Sequence, residues 1–242
     1  MSTCVFAGPT LYREPWPENV RRYGPAAMGS VFRAVEAGCQ RIGIVDGLFG
    51  NAPSVWHKEI LYAISAGAEV VGAGSMGALR AAELAPFGML GIGRIYRLFR
   101  SGLWTDDDEV AVLHAGEELG HCPLSETMAN ARFTLRRLRR AGSVDRETES
   151  ELVRRMKARH FSARTREVLR EDARLLLGER AGTQLAARFE CEYVDVKRAD
   201  AQALLAYLRR PKSAAAPMRD FPATAHWREQ FQKRLADVPP LR

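Results

Sequence analysis

The stretch VVGAGSMGALRAAEL, Val70 to Leu84, decides how this chain is read. A short apolar run ends abruptly in small residues around Ser75, and the residues that follow space their apolar members as a helix does. A strand that turns into a helix over a glycine-rich corner is the repeating unit of a parallel α/β sheet. Working outward, CVFAG (4–8), RIGIVDG (41–47) and EVVGAG (69–74) read as strands. GPAAMGSVFRAVEAGC (24–39), SVWHKEILYAISAGA (54–68) and Ser75 to Leu84 read as helices, the second with Ser54 as its N-cap after Pro53. Glycines interrupt 87–102, which reads as loop plus a short helix, and DDDEVAVLH (106–114) is expected to add a fourth strand.

The second half changes character. LSETMANARFTLRRLRRAG (124–142), SVDRETESELVRRMKARHF (143–161), SARTREVLREDARLL (162–176) and VKRADAQALLAYLRR (196–210) read as helices, the first stopped by Gly142. The expectation is therefore an α/β core with a parallel, Rossmann-like sheet over residues 1–115, a helical portion over 116–210 and a Pro/Ala-rich tail over 211–242.

Hydrophobic residues make up 46% of the 242 and charged residues 27%, as in ordinary globular chains. No apolar run reaches the roughly 18 residues that a spanning helix needs. The start, MSTCVFAGPTL, lacks the positive region of a signal peptide. Cys4, Cys39, Cys122 and Cys191 stand far apart without metal-ligand spacing, which fits reduced thiols in a cytoplasm and argues against zinc. The net charge of +7 is uneven: residues 1–131 carry 10 Lys+Arg against 14 Asp+Glu, whereas 132–242 carry 26 against 15. Such a basic half suits an acidic partner or a solvated arginine face. Its arginines lack interleaved aromatics and no recognised module appears, which argues against nucleic acid.

In a parallel sheet, ligands bind beyond the carboxyl ends of the strands. That rule selects Gly8, Pro9 and Thr10 after the first strand, Asp46 after the second, and Gly74 to Gly77 after the third. AGSMG (73–77) approaches the nucleophile-elbow pattern, with Ala73 in place of its first glycine. Three readings of Ser75 stand open: a nucleophile with the Met76 amide as oxyanion donor, part of an anion cradle with Gly74, Met76 and Gly77, or a helix cap. As nucleophile it needs a base. His57, in the first turn of the preceding helix, is the candidate, with Asp46 to orient it. Against that stands a packing or surface role for His57. Lys58 and Arg80 could offset developing negative charge, although Glu83 is placed to pair with Arg80. The run Asp106 to Glu109 reads as a solvated loop rather than a magnesium site, and Cys4 as a buried thiol.

At these residues the chain resembles a known family. VFAGPTL, DGLFGNAPSVWHKEILYAISAGAEVVGAGSMGALRAAELAPFGMLGIGRIY, DDDEVAVLH and VDVKRADAQALL resemble the TfuA-like core domain, over residues 5–115 with a further block near 193–205. The resemblance implies a partner of YcaO enzymes, which convert a backbone amide of a ribosomally made precursor peptide into a thioamide. It implies that the protein releases or delivers sulfur by hydrolysing a thiocarboxylated, ubiquitin-like carrier, without metal or cofactor. That is acyl transfer chemistry, and Ser75, His57 and Asp46 supply the expected relay. The alternative is a non-catalytic adaptor that recruits carrier and peptide to YcaO. The basic half would dock an acidic carrier.

Overall fold

The computed structural model describes residues 2–50, 53–211 and Glu229. Apart from Pro211 and Glu229, the expected tail over 211–242 lies outside the described residues. The chain divides into two units, one of residues 1–105 with 198–242 and the other Asp106–Lys197.

The first unit is built on five parallel strands: β1 (Ser2–Phe6), β2 (Arg21–Tyr23), β3 (Cys39–Ile44), β4 (Glu69–Ala73) and β5 (Leu90–Ile92), in the order β2-β1-β3-β4-β5. Helices α1 (Ser30–Glu36), α2 (His57–Ser65) and α3 (Met76–Leu84) connect β2 to β3, β3 to β4 and β4 to β5, α4 (Gly93–Arg100) follows β5, and α9 (Val196–Leu208) is the last helix with a described range. The parallel α/β expectation holds. Two strands escaped it. β2 and β5 are half-exposed edge strands of three residues each; β2 is Arg-Arg-Tyr and shows no apolar run, and β5 is Leu-Gly-Ile, whose apolar run is broken by glycines. Conversely, 106–114 forms a short 3-10 turn and loop, because its acids are drawn into ion pairs rather than a ladder. Ser54 does not cap α2; its hydroxyl donates to the Leu48 carbonyl and Trp56 holds the N-cap position.

Alternation along the strands builds two cores. Cys4, Phe6, Ile42, Ile44 and Val70 face α1, α2 and α3 through Val31, Ala34, Ile60, Ala63, Ala81 and Leu84. Val5, Ala7, Val45, Val71 and Ala73 face the other way and receive Ala201, Leu204, Leu205 and Leu208 of α9. Each leucine so buried contributes about 1.5–3 kcal/mol. Gly43 admits that helix, since a Cβ there would stand 2.9 Å from Leu204 and Leu208 side-chain atoms. Arg41, 4% exposed, holds the far end of α9: its Nε bonds Glu69 at 2.6 Å and its Nη1 bonds the carbonyls of Leu208 and Arg210.

The second unit packs α5 (Met128–Arg140), α6 (Arg146–Lys157), α7 (Arg166–Leu177) and α8 (Glu179–Cys191) around Leu135, Leu138, Leu152, Met156, Leu169, Leu185 and Phe189. Thr127, Asp145 and Thr165 cap three of them by accepting from the N–H groups of Asn130, Thr148 and Val168.

The glycines of the opening stretch have a steric purpose. A Cβ on Gly72 would lie 2.0 Å from the Gly77 carbonyl oxygen, and one on Gly77 would lie 1.8 Å from that of Ile44. The first turn of α3 therefore lies directly on the backbones of β3 and β4. Gly77→Ala forces those backbones apart and is expected to cost about 3 kcal/mol or more. Gly67→Ala, at a left-handed φ of 83° with open space around it, is expected to cost about 1–2 kcal/mol. Urea unfolding of the two variants measures the difference.

Candidate functional site

The strand order reverses at the β1/β3 boundary, and in open parallel sheets the ligand crevice opens at that switch point, outside the carboxyl ends. Gly8, Pro9 and Thr10 leave β1 there and Asp46 leaves β3. The two are joined tightly. The Asp46 carboxylate, 2% exposed, accepts from the N–H of Gly8 at 2.8 Å, the N–H of Thr10 at 3.0 Å and the Thr10 hydroxyl at 2.5 Å. The loop expected to cradle a ligand anion thus cradles the protein's own carboxylate.

Ser75 stands one strand further on. Gly74, at φ 72°, takes the left-handed conformation that turns β4 into α3, and the Ser75 N–H closes the turn on the Ala73 carbonyl at 2.8 Å. Ser75 is 2% exposed and occupies the N-cap position, yet its hydroxyl makes no capping bond; its carbonyl receives Ala78 and Leu79. The cap reading is therefore not what this serine does. Gly77 leaves the expected anion set as well, because its N–H donates to the Val45 carbonyl at 3.1 Å. Met76 starts the helix, and its side chain packs over Gly47, where a Cβ would meet its Cγ at 2.7 Å.

His57 is engaged elsewhere. Its Nε2 lies 2.8 Å from Glu83 Oε2, the same oxygen that receives Arg80 Nη1 at 2.8 Å, and Arg80 Nε donates to the Val55 carbonyl. Partial burial pushes the Glu83 carboxyl up, but the bonds from His57 and Arg80 outweigh it and hold it below the ordinary value. Glu83 lies eight residues beyond Ser75, about 12 Å along the helix at 1.5 Å per residue. A base must come within about 3 Å of the hydroxyl it serves. With His57 on Glu83 and Asp46 on Gly8 and Thr10, the expected relay of Ser75, His57 and Asp46 is not assembled. Arg80 and His57 are brought together, through Glu83. Lys58 is exposed and makes no ion pair among the described residues.

Two organising carboxylates were missed from sequence. Glu59, fully buried, accepts from Gly29, Trp56, Val31 and Phe32 N–H groups at 2.8–3.3 Å, and so ties the start of α1 to the start of α2. The Trp56–Glu59 spacing is that of a capping pair and was the available signal. Asp200 of α9 accepts from the N–H groups of Arg94 and Ile95 at 2.9 and 2.8 Å, at the start of α4. Gly93 makes room for it, since a Cβ there would stand 2.1 Å from the Asp200 carboxyl carbon. No sequence signal links Asp200 to Gly93 across that separation. Asp46, Glu59 and Asp200 together fill amide groups that would otherwise attract an anion.

In the second unit, Asp106, Asp108 and Glu109 gather closely enough to hold a metal ion. Lys157 Nζ sits among them, 3.2 Å from Asp106, 3.0 Å from Glu109 and in contact with Asp108. Arg164 also pairs with Asp108, and Arg132 grips Glu109 through two bonds. An ammonium and two guanidinium groups thus supply the positive charge. Over Asp106–Lys197 the counts are 17 Lys+Arg against 18 Asp+Glu. Many arginines of this unit are paired with its own acids, and the near balance over the unit comes largely from the acidic residues 106–126 that precede the helices.

Burial pushes the Glu59 carboxyl up to about 7, against the pull of its four amide bonds. Because the folded state holds that proton more tightly than the unfolded chain, Glu59 adds stability that is fully present below the ordinary carboxylate range and is lost as pH rises through about 7. Wild-type unfolding free energy is expected to fall between pH 5 and 8. Glu59→Gln, whose side chain does not titrate, is expected to show a shallower slope on a lower baseline. Urea denaturation across that range checks both.

No curated protein matches the chain by sequence. Residues 46–165, which run from Asp46 through Ser75 and the acidic trio, match the family model described as TfuA-like protein, and this match supports reading the chain as TfuA-like.

Proposed function

We propose that this protein is an accessory partner of a YcaO-type enzyme in peptide-backbone thioamidation. It binds a thiocarboxylated, ubiquitin-like sulfur carrier and the precursor peptide, and delivers sulfur without itself carrying out a serine relay. The TfuA-like match supports the pathway. One observation favours adaptor over hydrolase: His57 is bonded to Glu83 and Asp46 to Gly8 and Thr10, so neither serves Ser75. A thiocarboxylate differs from a carboxylate by one sulfur, and this sheet edge repeatedly holds carboxylates on backbone N–H groups, with Asp46 as the example at the switch point. The start of α3, with Met76 and the buried Ser75, is the turn of this edge at which the carrier's terminal anion is proposed to rest.

Hydrolysis is the second reading, favoured by the place of Ser75 at a helix start. In that version water attacks the thioacid carbonyl, the tetrahedral oxyanion leans on the Met76 N–H, and collapse expels hydrosulfide to leave a carboxylate. Ser75 orients the water.

The two readings separate in one experiment. Purified protein is mixed with thiocarboxylated carrier in the absence of YcaO, and sulfide is measured over time. The adaptor reading expects sulfide at the level of carrier alone, with saturable carrier binding that persists in Ser75→Ala, because the terminal anion rests on backbone N–H groups of the turn. Rapid sulfide release that Ser75→Ala abolishes would establish the hydrolase instead. Absence of both binding and release would remove the carrier from the proposal.

A further inference from the structure

Residues 113–124 form a small closed hairpin in the second unit that the function above leaves unused. Leu124 N–H donates to the Leu113 carbonyl at 2.7 Å and Ala115 N–H to the Cys122 carbonyl at 2.9 Å, around the bridge between His114 and Pro123. The tip folds on itself. His121 N–H donates to the Gly116 carbonyl at 3.0 Å, Gly120 N–H to that of Glu117 at 2.8 Å, and Gly120 and His121 follow one another in the left-handed region. The His114 and His121 rings meet edge to face, with centroids 5.3 Å apart. This is a tip held in one conformation rather than a loose connection.

What it displays is unusual for a surface loop. Leu113, Leu119 and Leu124 are 40%, 62% and 54% exposed, and the first and last are hydrogen-bonded neighbours. Scattered leucines need no explanation, but the paired Leu113 and Leu124 at the base and Leu119 toward the tip put three exposed leucines on one braced hairpin, apolar surface of the kind a contact site uses. The segment that carries them has acids and no bases of its own. Residues 106–131 contain seven Asp+Glu and no Lys or Arg. Of these, Asp106, Asp108, Glu109 and Glu126 are neutralised by Lys157, Arg164, Arg132 and Arg166. Glu117 and Glu118, on the hairpin itself, are exposed and make no ion pair among the described residues.

We propose that the 113–124 hairpin is a docking prong for a cationic, leucine-rich amphipathic segment of a partner polypeptide, with the leucines taking its apolar face and Glu117 and Glu118 its basic rim. The apolar contact supplies the affinity and the acidic rim selects the sign of the partner. Nothing in this depends on the sulfur-delivery reading, so either can fail alone.

The test uses the full chain and two fluorescein-labelled amphipathic peptides with the same leucine pattern, one carrying lysines and the other glutamates. Anisotropy titration is expected to show saturable binding of the lysine peptide at least about tenfold tighter than the glutamate peptide. Glu117→Lys with Glu118→Lys is expected to reverse that order, and Leu119→Ser with Leu124→Ser to weaken both by about tenfold or more. All four substitutions lie at exposed positions, and circular dichroism confirms the fold of each variant. Hydrogen exchange on the wild-type complex is expected to show new protection over 113–124. Equal binding of the two peptides, variants that bind as wild type, or protection elsewhere would overturn the proposal. So would self-association that Leu119→Ser with Leu124→Ser dissolves, which would make the occupant a second copy of this chain.

Discussion

The sheet unit rests on one steric constraint, the absence of side chains at Gly72 and Gly77. Backbone meets backbone there, the first turn of α3 lying on β4 and on the Ile44 carbonyl at a separation that no Cβ could share. That contact sets the depth at which α3 enters and therefore buries Met76 and Ser75. It also fixes the hydrogen bond from Gly77 to Val45, the residue before Asp46. The site geometry follows from this packing, and the glycine pattern that resembles a catalytic elbow is first of all a solution to a packing problem.

A second theme is how the chain treats the amide groups that a parallel α/β sheet leaves at its carboxyl edge. Asp46, Glu59 and Asp200 each accept two or more backbone N–H bonds from a loop or helix start, and each arrives from a different element. Isolated, a buried carboxylate is costly; with several amide donors its charge is offset and the donors are satisfied in turn. The arrangement makes these residues braces of the edge rather than reagents. Asp46 in particular cannot both hold Gly8 and Thr10 and orient an imidazole on another helix.

Charge follows the same logic in the helical unit. Asp106, Asp108, Glu109 and Glu126 pair with Lys157, Arg164, Arg132 and Arg166, and further arginines pair with acids of the helices themselves, as Arg159 does with Asp172; several of these acids are buried. Removing one partner of such a buried pair costs far more than the pair contributes against an apolar replacement. Many of the arginines are thus structural, and of the seven acids between Asp106 and Glu126 only Asp107, Glu117 and Glu118 make no ion pair among the described residues.

The sequence by itself determined the parallel α/β class, the three central strands, most of the helices and the convergence of Gly8–Thr10, Asp46 and Ser75 on one edge. These are local or periodic signals, since a strand buried on both faces must be apolar and its crossover must be helical. Tertiary structure decided the rest. β2 is Arg-Arg-Tyr, with no apolar run, and β5 is Leu-Gly-Ile, an apolar segment that glycines interrupt; each forms as three residues paired to one neighbouring strand. Asp200 finds the start of α4, and Arg41 the end of α9, across separations that no spacing rule covers. His57 turned to Glu83 rather than Ser75 because side-chain direction depends on how α2 packs against α3. Residue type and order name the groups that can do chemistry; which of them meet is settled by packing, through distances of a few ångströms that one-dimensional order does not encode.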